Sequence, residues 1–293
     1  MSEKSTCCGS ESTETSNCCT PESDSNTSLQ SDIVRNQVRE SYAKVAEANN
    51  AKESCGIEAS CCGVSDDIDI NTLNSLRLGY SESDLKNVPE GADMGLGCGN
   101  PRAIAGLVAG ETVVDLGSGG GFDAFLASRE VGASGRVIGV DMTPTMISKA
   151  RNNAKKANFE NVEFRLGEIE YLPIGNDTVD VIISNCVINL SPNKAQVFKD
   201  AYRVLKPAGR LAISDVVASC EMPEKMKSDL ALYAGCMAGA SLIDDLERYM
   251  KEAGFSEIKI TPKDDSKAFI KDWAPDTNVT DYVLSAHIEA VKV

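Results

Sequence analysis

A glycine-rich turn between a predicted strand and a predicted helix constrains this chain more than any other feature of its sequence. The apolar run 112–116 is followed by the turn 117–121 and then by a helical pattern that begins near Phe122. Glycine lacks a Cβ, so the backbone can turn tightly and come close to a ligand. Asp141 ends the next predicted strand about 20 residues later, where its carboxylate can meet ribose hydroxyls. The sequence therefore predicts a site for a cofactor that contains a nucleoside.

Strands and helices alternate along the chain from residue 111 to the end. Strands are predicted at 112–116, 136–140, 162–166, 179–184, 210–215, 257–261 and 282–291. One helix is predicted from about Phe122, and a second begins at Pro144 after the cap Thr143. Further helical segments are predicted over 194–205, 222–238 and 242–253. This alternation predicts an α/β fold, a Rossmann-like, mostly parallel sheet with helices on both faces.

The first 110 residues have a different composition. Residues 1–32 are rich in Ser, Thr, acidic residues and cysteine, a composition that cannot pack a core and predicts a disordered tail. Residues 33–48 carry apolar side chains at helical spacing and predict a helix docked on the body that follows. We therefore expect a tail at 1–32 and a folded unit at 33–293, made of a cysteine-bearing segment (33–110) and a Rossmann-like core (111–293).

Charge and hydropathy exclude several classes of partner. Acidic residues outnumber basic ones by 44 to 29, and the net charge of −15 would repel nucleic acid. The longest apolar stretch, 179–190, is interrupted by polar residues and falls short of the roughly 20 residues that span a bilayer. The first residues lack the pattern of a secretory signal. We expect a cytoplasmic monomer without nucleic-acid or membrane partners, in which 11 cysteines serve thiol or soft-metal chemistry rather than structural disulfides.

Two cofactors compete for the glycine turn. The spacing from Gly119 to Ala124 also matches the dinucleotide fingerprint of NAD sites. Asp115, however, would repel a pyrophosphate, whereas it suits an amino group and a sulfonium charge. The residues after the third strand, 167–170, can also offer a carboxylate and backbone groups to adenine, so we favour S-adenosylmethionine over NAD or an unliganded turn. The predicted cofactor-binding residues are Asp115, Gly117, Ser118, Gly119, Gly121, Asp141, Met142, Glu168, Ile169 and Asn185.

Three cysteines stand among small residues or at a strand end. Cys186 follows the fourth predicted strand, Cys98 lies in a glycine-flanked loop, and Cys236 lies in a run of Gly and Ala. A lone buried cysteine is often only a small hydrophobe, but small neighbours allow close approach to a thiol. A zinc site is disfavoured because the chain has no Cys-x-x-Cys spacing and only one histidine, His287. Two loops and a strand end thus hold one thiol each, and Cys186 stands where a methyl acceptor would meet the cofactor.

From residue 111 to the end, the chain resembles the class I S-adenosylmethionine-dependent methyltransferases, whose seven-stranded sheet has an antiparallel last strand. Four segments, over roughly residues 33–293, look like those of arsenite methyltransferases: Ser-Asn-Cys-Val-Ile-Asn-Leu around Cys186, Gly-Cys-Gly-Asn-Pro around Cys98, Ala-Gly-Cys-Met-Ala-Gly-Ala around Cys236, and Val-Asp-Met-Thr at 140–143. The resemblance implies that Cys98, Cys186 and Cys236 bind As(III), that Cys61 or Cys62 corresponds to a fourth thiol of the family, and that arsenite and methylarsenite are the substrates.

The chemistry of arsenic agrees with these residue types. Trivalent arsenic is soft and prefers thiolate sulfur, and its lone pair can accept a methyl group without a general base. Methylation oxidises arsenic by two electrons, which two thiols can return by forming a disulfide. We hypothesise that Cys98 pairs with Cys62 or Cys61 in this step and that an external reductant such as thioredoxin or glutathione resets the pair. Two alternatives stay open, a methyltransferase for a small organic acceptor and a non-catalytic thiol protein that sequesters metalloids.

Overall fold

One seven-stranded mixed sheet organises the described residues, which are 22–54, 70–275 and 277–293 of this computed structural model. The strand order is β3-β2-β1-β4-β5-β7-β6, and β7 runs antiparallel to both of its neighbours, whereas β1 to β5 pair in parallel. The strands are β1 (Thr112–Leu116), β2 (Arg136–Asp141), β3 (Val162–Leu166), β4 (Val179–Asn185), β5 (Leu205–Ala218), β6 (Phe255–Lys263) and β7 (Val283–Lys292). The predicted α/β fold with an antiparallel last strand is confirmed.

Helices cover both faces of the sheet. They are α1 (Glu22–Ser54), α2 (Ile70–Arg77), α3 (Glu82–Lys86), α4 (Arg102–Ala105), α5 (Phe122–Val131), α6 (Pro144–Lys156), α7 (Lys194–Val204), α8 (Glu224–Lys227), α9 (Leu230–Ala234), α10 (Ile243–Ala253) and α11 (Lys267–Trp273). On one face, Phe125 of α5 and Ile147 of α6 are buried against the sheet. On the other face, Phe198 of α7 and Met250 of α10 are buried against it. The burial of apolar side chains on both sides holds the strand ends in fixed positions.

The fifth strand begins earlier than the sequence predicts. Its first residues, from Leu205, include the turn-like Pro207-Ala208-Gly209, and the pairing with β4 shifts register between Val179 and Val181. Ala208 has φ +64°, a left-handed conformation. The turn signal in the sequence therefore marks an irregular start of the strand rather than a separate loop.

Two helical predictions differ from the structure. The helix predicted at 33–48 runs from Glu22 to Ser54 as α1, so it begins inside the segment 1–32 that composition predicts to be disordered. The region 222–238 contains two short helices instead of one, because Asp229 caps a new helix by accepting hydrogen bonds from the Ala231 and Leu232 amides at 2.9 and 3.1 Å. The division into tail, cysteine-bearing segment and core stays a prediction, and residues 1–21, Cys61 and Cys62 lie outside the described residues.

The carboxyl ends of the central parallel strands lie side by side. Gly117 follows β1, Asp141 ends β2, Asn185 ends β4, and Asp215 lies near the end of β5. In a parallel α/β sheet, ligands bind at this edge. None of the described helices is long and apolar enough to cross a membrane.

Candidate functional site

A cavity of about 580 Å³ opens at the carboxyl edge of the sheet. Five of the predicted cofactor residues line it: Gly117, Asp141, Met142, Ile169 and Asn185. Cys186 and Cys236 line the same cavity. The glycine turn and two of the predicted substrate thiols therefore face one common space, large enough for a cofactor and a small acceptor.

The glycine turn has the geometry that the sequence requires of it. Gly117 has φ +67°, and a Cβ there would lie 2.3 Å from a methyl carbon of Val187. The Asp141 carboxylate faces the turn, because its Oδ2 accepts a hydrogen bond from the Gly119 amide at 3.0 Å and its Oδ1 accepts one from the Thr143 amide at 2.7 Å. These two bonds fix the orientation of the carboxylate at the edge of the cavity.

Buried carboxylates cluster beneath the turn. Burial raises the pKa of Asp115 well above its usual value, and the negative charges of Asp123 and Asp141 raise it further. Burial also raises the pKa values of Asp123 and Asp141, although hydrogen bonds partly oppose it. Three acidic groups held close together in a dry site favour a cationic ligand, which would lower these pKa values on binding.

Asn185 joins the cofactor side of the cavity to the Cys98 loop. Its Oδ1 accepts a hydrogen bond from the Cys98 amide at 3.0 Å, and its Nδ2 donates to the Gly99 carbonyl at 2.9 Å. The same Nδ2 lies 3.2 Å from Asp123 Oδ2 and 3.0 Å from the Tyr80 hydroxyl, which itself donates to Asp123 at 2.7 Å. The predicted cofactor residue thus also positions a predicted arsenic ligand.

The other predicted cofactor residues do not line the cavity. They are Asp115, Ser118, Gly119, Gly121 and Glu168. Glu168 instead forms ion pairs with Arg35 at 3.6 Å and Arg39 at 3.4 Å. Its neighbour Glu170, which does line the cavity, accepts hydrogen bonds from Arg35 at 3.1 Å and from Ser191 at 2.7 Å. Helix α1 therefore forms ion pairs with Glu168, the carboxylate that the sequence assigns to adenine, and with its neighbour Glu170.

The three predicted thiols converge, although they are far apart in the chain. The Sγ atoms of Cys98 and Cys186 and a carboxylate oxygen of Asp215 lie within 4.8 Å of one another. The Cys236 thiol donates a hydrogen bond to the Cys186 carbonyl at 2.6 Å, and the Cys186 thiol contacts those of both Cys98 and Cys236. All three cysteines are free and buried. Convergence of soft donors in a buried pocket is the arrangement that a thiophilic ion requires.

Two of the three thiols sit on strained backbone. Cys186 has φ +60° and Cys236 has φ +62°, in the left-handed region that costs a residue with a Cβ roughly 1–2 kcal/mol. Such strain persists only where surrounding contacts enforce it, and it concentrates at functional sites.

The small residues next to the cysteines have a different role from the one expected. A Cβ on Gly97 would lie 2.8 Å from the Asn185 side chain, and one on Gly99 would lie 2.8 Å from Ser214 Oγ. A Cβ on Gly239 would lie 2.1 Å from the Asn189 carbonyl oxygen. The glycines therefore let the two cysteine loops press against the strand ends, and this contact brings the thiols together.

The thiols are held in their protonated form. Burial raises the pKa of Cys98, and the hydrogen bond from Cys186 opposes it only in part. For Cys186, the hydrogen bond with Cys236 lowers the pKa, but the bond with Cys98 and burial together raise it well above the usual value. The pKa of Cys236 is also raised well above its usual value by the hydrogen bond with Cys186 and by burial. At neutral pH, these groups are therefore thiols until a ligand replaces their protons.

Sequence reasoning missed residues of helix α1 that line the cavity, among them Arg35 and Tyr42. The Tyr42 hydroxyl donates to the Ala234 carbonyl at 3.3 Å and lies 4.0 Å from Cys236 Sγ. Tyr42 belongs to the apolar stripe that predicted a docking helix, so the periodicity contained the signal, but it could not show which surface the helix covers.

Comparison with known proteins agrees with this geometry. Residues 107–254 match the family described as Methyltransferase domain. Together with the strand order and the glycine turn, this match defines a class I S-adenosylmethionine-dependent methyltransferase fold.

Individual relatives identify the family more narrowly than the domain match does. The chain is 52% identical over 88% of its length to an arsenite methyltransferase of Halobacterium salinarum and 38% identical over 63% of its length to one of Mus musculus. It is 33% identical to an arsenic (III) S-adenosylmethionine methyltransferase of Chlamydomonas reinhardtii, whose crystal structure superposes with a TM-score of 0.58 over 75% of this chain and 73% of that one. The chain belongs to the arsenite methyltransferase family. It spans 66% and 51% of the two curated relatives.

Proposed function

We propose that this protein transfers the methyl group of S-adenosylmethionine to trivalent arsenic held by Cys98, Cys186 and Cys236. The observation that carries the proposal is the meeting of three buried thiols from three distant segments, two of which line the cavity that contains the glycine turn. The named activity of the relatives supports it.

Arsenic loading needs no base from the protein. Arsenous acid carries three hydroxyl groups, and each thiol proton leaves with one hydroxyl as water, so three thiols and one As(OH)₃ give one As(SR)₃ and three waters. The raised thiol pKa values do not oppose this exchange, because no free proton is produced. The product leaves the arsenic lone pair as the nucleophile.

The residues of the cavity suit S-adenosylmethionine. When bound, it supplies a methyl group on a positively charged sulfur. Of the three buried carboxylates, Asp141 lines the cavity, and its two backbone donors fix its orientation there. Asp115 and Asp123 do not line the cavity, but their charges add to that of Asp141 and would favour the positive charge of the cofactor. Cys186 and Cys236 line the same cavity, so arsenic bound to them would lie next to the methyl donor, and such positioning can supply on the order of 7–11 kcal/mol of the barrier.

Turnover requires two electrons, because methylation raises arsenic formally to the pentavalent state. We propose that the Cys61 or Cys62 thiol attacks the arsenic-bound sulfur of Cys98. The S–S bond forms, the As–S bond of Cys98 breaks with its electron pair going to arsenic, and the attacking thiol releases one proton. Methylated arsenic is thereby returned to the trivalent state, still bound to Cys186 and Cys236. A dithiol of the thioredoxin type, or glutathione, then reduces the disulfide. The requirement for reduced thiols favours the cytoplasm, and because the described site is built from one chain, we propose that the monomer is active.

The test is to incubate the protein with S-adenosylmethionine, arsenite and a thiol reductant and to separate arsenic species by chromatography with mass detection. Methylated arsenic is expected from the wild type and from Cys220→Ser, since Cys220 is exposed and outside the thiol cluster. Cys186→Ser should abolish it. Bound but unmethylated arsenite would indicate a sequestering protein, and no arsenite binding would indicate a different methyl acceptor.

A further inference from the structure

One buried side chain ties the two strained cysteine segments together. Asn189 is 1% exposed and lies in the short 3₁₀-helix Ile188–Leu190 that follows β4. Its Nδ2 lies 2.9 Å from Asp215 Oδ1, 2.6 Å from the Val216 carbonyl oxygen and 3.2 Å from the Cys236 carbonyl oxygen. Two N–H groups thus serve three acceptors on two other segments. No step of the reaction proposed above uses this side chain.

Asp215 holds the other side of the same junction. Its Oδ2 accepts a hydrogen bond from the Ile188 amide at 2.8 Å, and its Oδ1 accepts one from the Val216 amide at 2.7 Å. The turn after Cys186 is therefore anchored to β5 through both a backbone amide and the Asn189 side chain. The direct contact of Gly239 with the Asn189 carbonyl brings the Cys236 loop against this turn.

The contacts of Asn189 and Asp215 hold two segments whose cysteines have strained backbone. Cys186 and Cys236 both have left-handed backbone, and each would relax to a commoner conformation if its segment were free. A change of backbone conformation at Cys236 would change the position of its Sγ relative to Cys186, with which it is in contact. Asn189 follows Cys186 by three residues and binds the Cys236 carbonyl directly, so it opposes this movement from both sides.

We propose that Asn189 is a positioning residue that sets the distance between Cys186 and Cys236 and thereby makes the site selective for a centre that binds three thiolates. The inference rests on the proposed function, because it takes Cys98, Cys186 and Cys236 as the arsenic ligands. A centre bound by three thiolates fixes all three sulfur–sulfur distances, whereas a centre bound by two fixes only one. Cys98 and Cys186 lie together, and neither is a hydrogen-bond partner of the Asn189 side chain, which bonds to Asp215, Val216 and Cys236.

The experiment compares two arsenicals on Asn189→Ala. Arsenite consumes three thiols, and phenylarsine oxide consumes two thiols and releases one water. We expect the variant to bind arsenite about 10- to 100-fold more weakly than the wild type, the usual cost of removing a group that orients metal ligands. Phenylarsine oxide, which can use Cys98 and Cys186, should change by less than about threefold, and S-adenosylmethionine affinity measured by calorimetry should stay the same.

Asn193→Ala is the matched control. Asn193 is exposed and caps α7 by accepting a hydrogen bond from the Gln196 amide at 3.2 Å, so its removal destabilises the same region without touching the cysteines. The control should bind both arsenicals like the wild type. If Asn189→Ala does not fold, Asn189→Ser, which keeps a small donor, takes its place with the same criteria.

The outcomes separate this inference from the proposed function. Unchanged arsenite binding in the variant, or an equal loss for both arsenicals, would overturn the positioning role while leaving the thiol site intact. Failure of the wild type to bind arsenite would overturn the proposed function and the inference with it. A wild type that binds arsenite without methylating it would overturn only the proposed function.

Discussion

Glycine and alanine at position 236 should reveal the backbone strain at the proposed arsenic site. Cys236 has φ +62°, whereas Cys98, which is equally buried, is not among the described residues with positive φ. We compare Cys236→Gly with Cys236→Ala, and Cys98→Gly with Cys98→Ala as the matched pair. All four variants lose an arsenic ligand, so the difference within each pair measures only the backbone and one methyl group.

The magnitude follows from three contributions. Glycine in place of alanine costs roughly 0.5–1 kcal/mol in backbone entropy and about 0.8 kcal/mol for one buried methyl group. At position 98 nothing offsets these costs, so the glycine variant should be about 1–2 kcal/mol less stable than the alanine variant. At position 236, relief of left-handed strain returns roughly 1–2 kcal/mol, so the two variants should be nearly equal in stability.

Urea unfolding followed by circular dichroism gives the free energy of unfolding for each variant. The glycine-minus-alanine difference should favour glycine by about 1–2 kcal/mol more at position 236 than at position 98. An equal difference at the two positions would show that the Cys236 backbone is not strained. It would also remove the reason for Asn189 to hold the Cys236 loop in position.

Three further results are expected. Gly117→Ala places a Cβ 2.3 Å from a Val187 methyl carbon on left-handed backbone. Calorimetry should therefore show S-adenosylmethionine binding weakened about tenfold or more, with little change in arsenite binding. Equal weakening of both would contradict the assignment of the glycine turn to the cofactor. Arg35→Ala leaves the buried Glu170 carboxylate with one hydrogen-bond donor fewer, so the free energy of unfolding measured in urea should fall by about 1–3 kcal/mol. An unchanged free energy of unfolding would mean that the ion pair is not formed in solution. Burial raises the pKa of Asp115, and a bound cation favours its ionised form, so S-adenosylmethionine affinity should increase as pH rises through that pKa. The affinity for S-adenosylhomocysteine, which lacks the sulfonium charge, should change less with pH. An equal change for both would show that the Asp115 carboxylate does not favour the sulfonium charge.

Much of the fold and part of the site could be predicted because their signals are local. The glycine turn and Asp141 each follow a strand, and their relation depends only on spacing along a βαβ unit. Strand-end geometry could place only Cys186 beside the cofactor, whereas the convergence of Cys98 and Cys236 with it was implied by the resemblance to arsenite methyltransferases.

The remaining parts depend on contacts between segments that are distant in sequence. Arg35 reaches Glu170 across 135 positions, and spacing within either segment does not indicate the pair. Asn189 stands in the motif around Cys186, but its partners Val216 and Cys236 lie on other segments. Glu168 stays a predicted partner of adenine, and its ion pairs with Arg35 and Arg39 of α1 could not be predicted from local spacing.

The boundaries of the family match and those of the site do not coincide. Residues 107–254 contain the glycine turn, Cys186 and Cys236, whereas Cys98 and helix α1 precede them. A fragment limited to residues 107–254 would keep the glycine turn and Asp141. It would lose Cys98 and the part of the cavity lining that helix α1 contributes. The proposed acceptor site is therefore divided between the matched domain, which contributes two sulfurs, and the preceding segments, which contribute the third sulfur and helix α1, so redesign of the acceptor has to change both parts together.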